Sequence, residues 1–441
     1  MAPRLSVIGT GYLGATHAAC MADLGFEVLG LDVDPDKVAL LSSGEVPFYE
    51  PGLGDVLKRA LASGRLRFTT SYAEVAQFAD VHFLCVGTPQ KHGSNAADLT
   101  YVDAAVMSLA AHLERPCLVV GKSTVPVGTA DRLAGLLNSL SPVGADAELA
   151  WNPEFLREGF AVEDTVSPDR LVVGVRSARA EATLREVYAR QLDSGVPFVV
   201  TDFPTAELVK VAANSFLATK ISFINAMADV CEVAGGDVTM LAKAIGYDTR
   251  IGSRFLQAGL GFGGGCLPKD IRAFMARGGE LGVGTALAFL REVDEINMSR
   301  RTRTVEMARE LVGGSLLGVN IAVLGAAFKP DSDDVRDSPA LNVAAALQLQ
   351  GARVRVFDPQ AVENARKLFP TLDYATSTDD ACAGADLVLL LTEWQEFRDL
   401  DPADLGPSVR VRRILDARNA LDPASWRAAG WTYRGLGRPH A

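Results

Sequence analysis

The chain has little that could staple or metallate it. Its six cysteines, Cys20, Cys85, Cys117, Cys231, Cys266 and Cys382, are widely spaced, with no C-x-x-C pair and no His/Cys cluster at zinc spacing. Neither a disulfide framework nor a metal site is therefore expected. Histidine is scarcer still: none of His17, His82, His92, His112 and His440 stands in a motif that would make it the base of a simple alcohol dehydrogenase. There is no window of about 18 uncharged apolar residues, and M-A-P-R-L-S-V-I-G runs directly into an apolar strand. Neither a membrane span nor secretion is expected, and the thiols should stay reduced in the cytoplasm. Basic residues are in deficit too, with 43 Lys and Arg against 54 Asp and Glu and a formal charge of -11. That balance argues against a general affinity for nucleic acid or anionic membrane, so any anionic ligand must meet a focused site.

What is present has the pattern of an α/β protein. At 441 residues the chain suits two or three domains. A strand at residues 4–8, a glycine turn, an Ala- and Leu-rich helix and a strand at 27–31 ending on Asp32 make a βαβ unit. Apolar runs at 81–86, 117–120 and 171–175 predict further buried strands of a parallel sheet. Residues 205–233 contain no Pro or Gly and predict one long helix of roughly eight turns, a natural spine and dimer surface. A second helical stretch is expected over 270–311, broken near Gly278 and Gly279. After Gly313 and Gly314 the βαβ pattern starts again, with strands at 320–324, 353–357, 386–391 and 413–415. The expected architecture is two Rossmann-like doubly wound domains joined by a long central helix. Residues 1–200 form the first, 201–312 the central helical region and 313–441 the second.

Gly9, Gly11 and Gly14 form G-x-G-x-x-G between a strand and a helix, where a tight turn lets a pyrophosphate approach the backbone at the positive helix end. Asp32 follows roughly 20 residues on, placed to accept hydrogen bonds from ribose hydroxyls and to repel a 2′-phosphate, which favours NAD over NADP. Two readings of Lys37 are open, contact with the adenosine or plain exposure. Gly87, Thr88 and Pro89 end another strand, at the sheet edge that faces a ligand in doubly wound folds. The second copy reads G-A-A-F-K-P at the matching place and is expected to bind something other than the dinucleotide.

Reactive chemistry points to G-F-G-G-G-C-L-P-K-D at 261–270. Backbone N–H groups, Lys269 and a helix beginning just after Pro268 would favour the thiolate of Cys266, although a cysteine among glycines can simply be small. The other five cysteines lie in apolar runs and should be buried and inert. Lys210 and Asn214 stand four apart on the long helix, and so on one face, inside an otherwise apolar stretch. They are either donors for a developing oxyanion or a solvated pair. In W-N-P-E-F-L-R-E-G at 151–159, Glu154 and Glu158 either position water and contact the cofactor or belong to a capped surface helix. K-S-T-V-P-V-G-T at 122–129 offers the hydroxyls of Ser123 and Thr124 after a strand.

Taken in order, G-T-G-Y-L-G at Gly9, F-Y-E-P-G-L at Phe48, K-S-T-V-P-V-G-T, N-P-E-F-L-R-E-G, the Lys210/Asn214 helix, the cysteine loop and F-K-P-D-S-D-D-V-R-D-S-P at Phe328 resemble the UDP-glucose/GDP-mannose dehydrogenase family over nearly the whole chain. The resemblance implies NAD as cofactor and a sugar nucleotide oxidised twice. F-Y-E-P-G-L and the segment at Phe328 look most like the branch that turns UDP-glucose into UDP-glucuronate, with GDP-mannose or a UDP-N-acetylhexosamine as the alternative. It implies that Cys266 is the nucleophile of a thiohemiacetal and a thioester, with Lys210 and Asn214 on the oxyanion. Asp270 would assist proton transfer, and Thr124 with Glu154 would position water. The cofactor would lie on Gly9, Gly11, Tyr12, Leu13, Gly14, Asp32, Lys37, Gly87, Thr88, Thr124, Glu158 and Arg336. The 313–441 domain would bind the UDP-sugar, which Glu154, Phe155, Leu156, Lys210, Asn214, Phe255, Gly263, Cys266, Phe328, Lys329 and Arg418 would touch. Arg250 would reach the sugar nucleotide of a neighbouring subunit in a homodimer or higher homo-oligomer. Phe255 stands where many members carry tyrosine, so a hydroxyl contact is missing there. The loop glycines would let a sugar pass close to their backbone.

Overall fold

Short Val-, Leu- and Ile-rich runs form the strands, and Ala-rich stretches between them form the helices that cover both faces, the arrangement in which a parallel sheet buries its apolar surface. The computed structural model describes residues 2–439, so His440 lies outside the described residues. The chain divides into two units: residues 1–213 with 272–282, and residues 214–271 with 283–441.

In the first unit, β1 (Leu5–Ile8), β2 (Val28–Leu31), β3 (Leu66–Thr69), β4 (Val81–Leu84), β5 (Cys117–Gly121), β6 (Ala147–Trp151), β7 (Leu171–Gly174) and β8 (Phe198–Thr201) form one sheet in the order β3-β2-β1-β4-β5-β6-β7-β8. Alternate residues of β1 serve opposite faces. Leu5 and Val7 join a core with Met21 and Phe83, whereas Ile8 packs with Leu84, Val119 and Trp151. One expectation fails here. The strand at 171–175 is not parallel to its neighbour: β7 meets β6 antiparallel at Trp151 and Gly174, and β8 then runs parallel to β7. The connection explains it. Residues 152–160 leave the end of β6 as a loop, and the six-residue helix Ala161–Val166 does not carry the chain back across the sheet as a longer crossover would.

In the second unit, β9 (Asn320–Leu324), β10 (Arg353–Phe357), β11 (Asp373–Tyr374), β12 (Leu387–Leu390), β13 (Arg413–Asp416) and β14 (Thr432–Gly435) form an all-parallel sheet in the order β11-β10-β9-β12-β13-β14. This is the strand order of a dinucleotide-binding fold, as are the first six strands of the other sheet.

The long helix spans Phe203–Ala234, slightly more than expected. The expected stretch over 270–311 is two helices. The first, Leu267–Glu280, starts three residues early and contains Gly278 and Gly279, and the second is Phe289–Leu311. The early start suits Pro268, whose missing N–H would have no partner in a first turn. The break falls instead at Gly282, whose φ of +76° favours glycine. Among the described residues no helix is long and apolar enough to cross a membrane.

Candidate active site

The nucleotide site of the first unit grows from the end of β1. A side chain at Gly14 would collide with the carbonyl of Gly9, so this glycine lets the helix Tyr12–Asp23 pack against the strand, whereas a side chain at Gly11 would meet nothing within 4 Å. No side chain caps that helix, and no acidic residue stands in its first turn, which leaves its positive end suited to an anion. At the end of β2 the buried Asp32 accepts from Thr10 N at 2.9 Å, the Thr10 hydroxyl at 3.0 Å and Lys37 Nζ at 3.0 Å. Burial acts to raise its pKa, but the Lys37 ammonium and the N–H groups of Thr10 and Asp34 outweigh it and hold the carboxyl below its usual value. Lys37 is thus not plainly exposed but paired with this carboxylate. An open backbone at Gly11 and an ionised carboxylate at the ribose position fit an NAD-type dinucleotide.

Two strand-end turns flank this place. Thr88 donates to the carbonyl of Thr124 at 2.7 Å, and Ser123 donates to that of Val86 at 2.6 Å, which links the turn after β4, with Gly87, to the turn after β5. Glu154 and Glu158 do not sit on a helix, since residues 152–157 are a loop. The loop is pinned at Asn152, which accepts from Lys122 Nζ at 2.9 Å and from the Tyr188 hydroxyl at 2.6 Å and donates to the Val172 carbonyl at 2.8 Å. Farther along, Glu154 accepts from Leu156 N at 2.6 Å and lies 3.2 Å from Lys210 Nζ. Lys210 is only 5% exposed, which removes the solvated reading, and its ammonium stands 5.7 Å from the Phe155 ring centre. Lys122 and Tyr188 were not anticipated; a lysine directly after an all-apolar strand was the available signal.

In the second unit, Asn214 donates to Asp270 Oδ2 at 2.7 Å and Lys269 donates to Oδ1 at 2.6 Å, while the Asp270 N–H donates to the Cys266 carbonyl at 2.9 Å. Cys266 is exposed immediately before the helix Leu267–Glu280, and the other five thiols are buried. Burial pushes Cys20, Cys85 and Cys382 up to about 12 and Cys117 up to about 11, so those four stay protonated at neutral pH.

Residues 258–264 have no regular structure and yet are buried, so their backbone groups need partners. Asn225 accepts from Gly259 N at 2.8 Å, Arg418 donates to the Gly261 carbonyl at 2.9 Å and Asn419 donates to that of Ala258 at 3.1 Å. Asn297 clamps Phe262 from both sides, accepting from its N–H at 2.7 Å and donating to its carbonyl at 3.0 Å. Asn225 and Asn297 went unread, although an amide inside an apolar helical run such as 221–228 is the kind of mark that points to one. The loop glycines also have a reason in packing. A side chain at Gly264 would lie 2.8 Å from the Phe328 ring, and those at Gly263 and Gly265 would collide with the Asp337 carbonyl and the Arg336 guanidinium. Protein thus packs beside these glycines on the side where a Cβ would stand.

Arg336 pairs with Asp334 at 2.6 Å, and Lys329 Nζ is 5.6 Å from the Phe328 ring centre. Arg418 also donates to the carbonyls of Leu391 at 2.7 Å and Phe328 at 3.3 Å. Phe255 is exposed with a φ of +63°, a strained value for a bulky residue. Arg250 is exposed and pairs only locally, with Asp248 at 2.6 Å; it is not gathered with the others. On the long helix, Phe216, Phe223 and Val230, seven residues apart, are 67%, 49% and 56% exposed.

Comparison with known proteins agrees with these features. Models of the UDP-glucose/GDP-mannose dehydrogenase family match residues 3–192 as its NAD binding domain, 204–299 as its central domain and 322–423 as its UDP binding domain. The UDP-glucose 6-dehydrogenase of Rhizobium meliloti is 42% identical over 438 residues, 99% of this chain and 100% of that one. That of Rickettsia conorii is 43% identical over 436 residues, 98% of this chain and 99% of the other. A solved UDP-glucose dehydrogenase from Pyrobaculum islandicum superposes with a TM-score of 0.90 at 39% identity, covering 99% of this chain and 98% of that one.

Proposed function

Because the chain belongs to the UDP-glucose/GDP-mannose dehydrogenase family and is an NAD-dependent oxidoreductase, we propose that it oxidises the primary alcohol of UDP-glucose to the carboxylate of UDP-glucuronate through a covalent bond to Cys266. The observation that carries this is the one exposed thiol among the described cysteines, placed before a helix and four residues from the Asp270–Asn214 pair. Bound NAD, held by the backbone of Gly9, Gly11, Tyr12, Leu13 and Gly14, by Asp32 with Lys37, and by Gly87, Thr88, Thr124, Glu158 and Arg336, supplies the hydride acceptor for each two-electron step.

The alcohol first loses a hydride and its hydroxyl proton to become the aldehyde. The Cys266 thiolate attacks the aldehyde carbon and forms a C–S bond as the oxygen takes a proton. The thiohemiacetal loses a second hydride and that proton to become a thioester, which water cleaves with the thiolate leaving and two protons released. Per sugar, one alcohol and one water become one carboxylate, with two hydrides and three protons released. Lys210 and Asn214 donate to the oxygen as negative charge grows on it. Each stands on a carboxylate, Lys210 on Glu154 and Asn214 on Asp270, so each oxyanion donor is oriented by an acid suited to move a proton or hold water. Thr124 and Glu154 hold the hydrolytic water, and Asp270 takes its proton. Phe155, Leu156, Phe255, Gly263, Phe328, Lys329 and Arg418 line the sugar-nucleotide site. The enzyme works in the cytoplasm as a homodimer, with the Phe216, Phe223 and Val230 stripe covered by a second copy and Arg250 reaching the partner's sugar nucleotide.

The test is the NADH released per mole of UDP-glucose supplied, with GDP-mannose and UDP-N-acetylhexosamines run alongside. Two NADH from UDP-glucose are expected. One NADH per sugar, or a clear preference for another sugar nucleotide, overturns the reading.

A further inference from the structure

The F-Y-E-P-G-L segment has no role in the chemistry above, yet its Glu50 is buried and three donors converge on it. The Tyr12 hydroxyl and the Gly159 N–H, the latter at 2.7 Å, donate to Oε2, and the Ala161 N–H donates to Oε1 at 2.7 Å. Tyr12 is the first residue of the helix behind the glycine fingerprint, and its ring packs on Phe48 with centres 4.8 Å apart. Burial, and then the Glu50 contact, push its phenol well above the ordinary tyrosine value, so it remains a donor. Gly159 closes the loop that presents Glu154, Phe155, Leu156 and Glu158. Ala161 opens the helix Ala161–Val166, whose own N-cap, Phe160, gives it no side-chain cap. Glu50 supplies one from 111 positions away in sequence.

We propose that Glu50 is a positioning residue: its carboxylate latches loop 152–160 to the start of the cofactor helix and so sets how Glu154, Phe155 and Leu156 meet the sugar nucleotide, while touching neither ligand. The proposal rests on the sugar-nucleotide reading above. The pyrophosphate cradle is backbone, fixed by the packing of Gly14 on Gly9, and does not pass through Glu50. The latch therefore acts chiefly on the sugar nucleotide, Glu158 being the one cofactor residue carried on the same loop.

Glu50→Gln is nearly isosteric but turns one acceptor oxygen into a donor that faces a donor. Its NAD dissociation constant, from quenching of protein fluorescence, is expected within about threefold of wild type, while kcat/KM for UDP-glucose at saturating NAD falls at least ~30-fold. Amide hydrogens of residues 153–160 should exchange at least ~10-fold faster. Tyr12→Phe leaves both backbone donors in place and should lose only about three- to tenfold. The double variant should fall little below Glu50→Gln alone, because both changes break one network.

Wild-type kcat/KM in Glu50→Gln, or a loss of NAD affinity as large as the loss in kcat/KM, overturns the latch and leaves the substrate reading untouched. A wild-type enzyme idle on every sugar nucleotide overturns the substrate reading instead, and the exchange rates then decide the latch alone. Should Glu50→Gln fail to fold, Tyr12→Phe with unchanged exchange and kinetics overturns the proposal.

Discussion

The two doubly wound sheets share a strand order and end their second strands on the same residue type, and there they part. In the first, Asp32 Oδ2 accepts from Thr10 N, the Thr10 hydroxyl and Lys37, while Oδ1 accepts from Asp34 N at 3.2 Å, at the position where such folds meet a ribose. In the second, Asp358 is fully engaged with the protein. Its Oδ2 accepts from Ala326 N at 2.7 Å, Ala327 N at 3.0 Å and the Trp394 indole at 3.0 Å, and its Oδ1 accepts from Gln360 N at 3.0 Å and Ala361 N at 2.8 Å. Five donors fill a carboxylate. A side chain at Gly325 would collide with Thr392 as one at Gly9 would with Val86, so both turns keep that glycine, but Ala327 and Pro330 stand where the first turn has Gly11 and Gly14. Repeating a fold does not repeat its site. What differs is one oxygen: Asp32 Oδ1 takes a single bond of 3.2 Å and keeps room for a ligand, whereas Asp358 Oδ1 takes two of 3.0 and 2.8 Å and braces a loop.

The strongest test of that division falls on the reactive loop of the second unit. Cys266→Ser should lower net turnover at least ~10³-fold, because an alkoxide leaves far less readily than a thiolate. NADH release in single-turnover experiments should show a first oxidation that does not proceed to free acid, and full activity would refute the covalent route. Asp358→Ala comes next, and as a stability effect. Five donors lose their acceptor in a dry place, at a cost of about 3–5 kcal/mol, read from denaturant unfolding, with NAD affinity unchanged. If that variant is as stable as wild type, the bracing role is wrong.

Smaller again, Asp32→Ala should weaken the use of NAD about 10- to 100-fold and raise tolerance of NADP. Unchanged NAD affinity would remove the asymmetry between the two sheets. The smallest effect concerns pH. Because the folded pKa of Asp32 is depressed, the stability it contributes is fully present above the unfolded carboxyl value of about 3.9 and is lost as pH falls through the lower folded value. Acid unfolding of Asp32→Asn should therefore lack that part of the slope.

The sequence carried what ligand chemistry demands of residue identity, and little of what tertiary structure decides. Gly9, Gly11, Gly14, Asp32 and Cys266 stood out because the ligands proposed for them, a phosphate, a ribose and a carbonyl carbon, would each require one kind of group at a set spacing. The long helix was legible because no breaker interrupts it. The edge strands β3 and β14, L-R-F-T and T-Y-R-G, mix polar with apolar residues and so lack the continuous apolar run that marks a central strand, and the apolar run of β8, F-V-V-T, follows Pro197, which speaks against a strand. The reversed β7 depended on the path of a loop. Asn225, Asn297 and Glu50 act on backbone groups far away in sequence; an apolar run around Asn225 marks it as needing a partner, but nothing local says which. The glycines before Cys266 show the same limit, since their smallness was visible and their neighbours Phe328, Asp337 and Arg336 were not.

The buried segment at 258–264 has a consequence for time as well as shape. Its N–H groups at Gly259, Leu260, Phe262 and Gly264 are all held, by Asn225, by the Ala417 carbonyl, by Asn297 and by the Arg336 carbonyl. Without forming a ladder, it has the bonding of an inner strand. Its amide protons should therefore outlast in deuterium those of β8, which has exposed residues at Val199 and Val200. A stretch that secondary structure calls a loop would then be among the slowest-opening parts of the molecule.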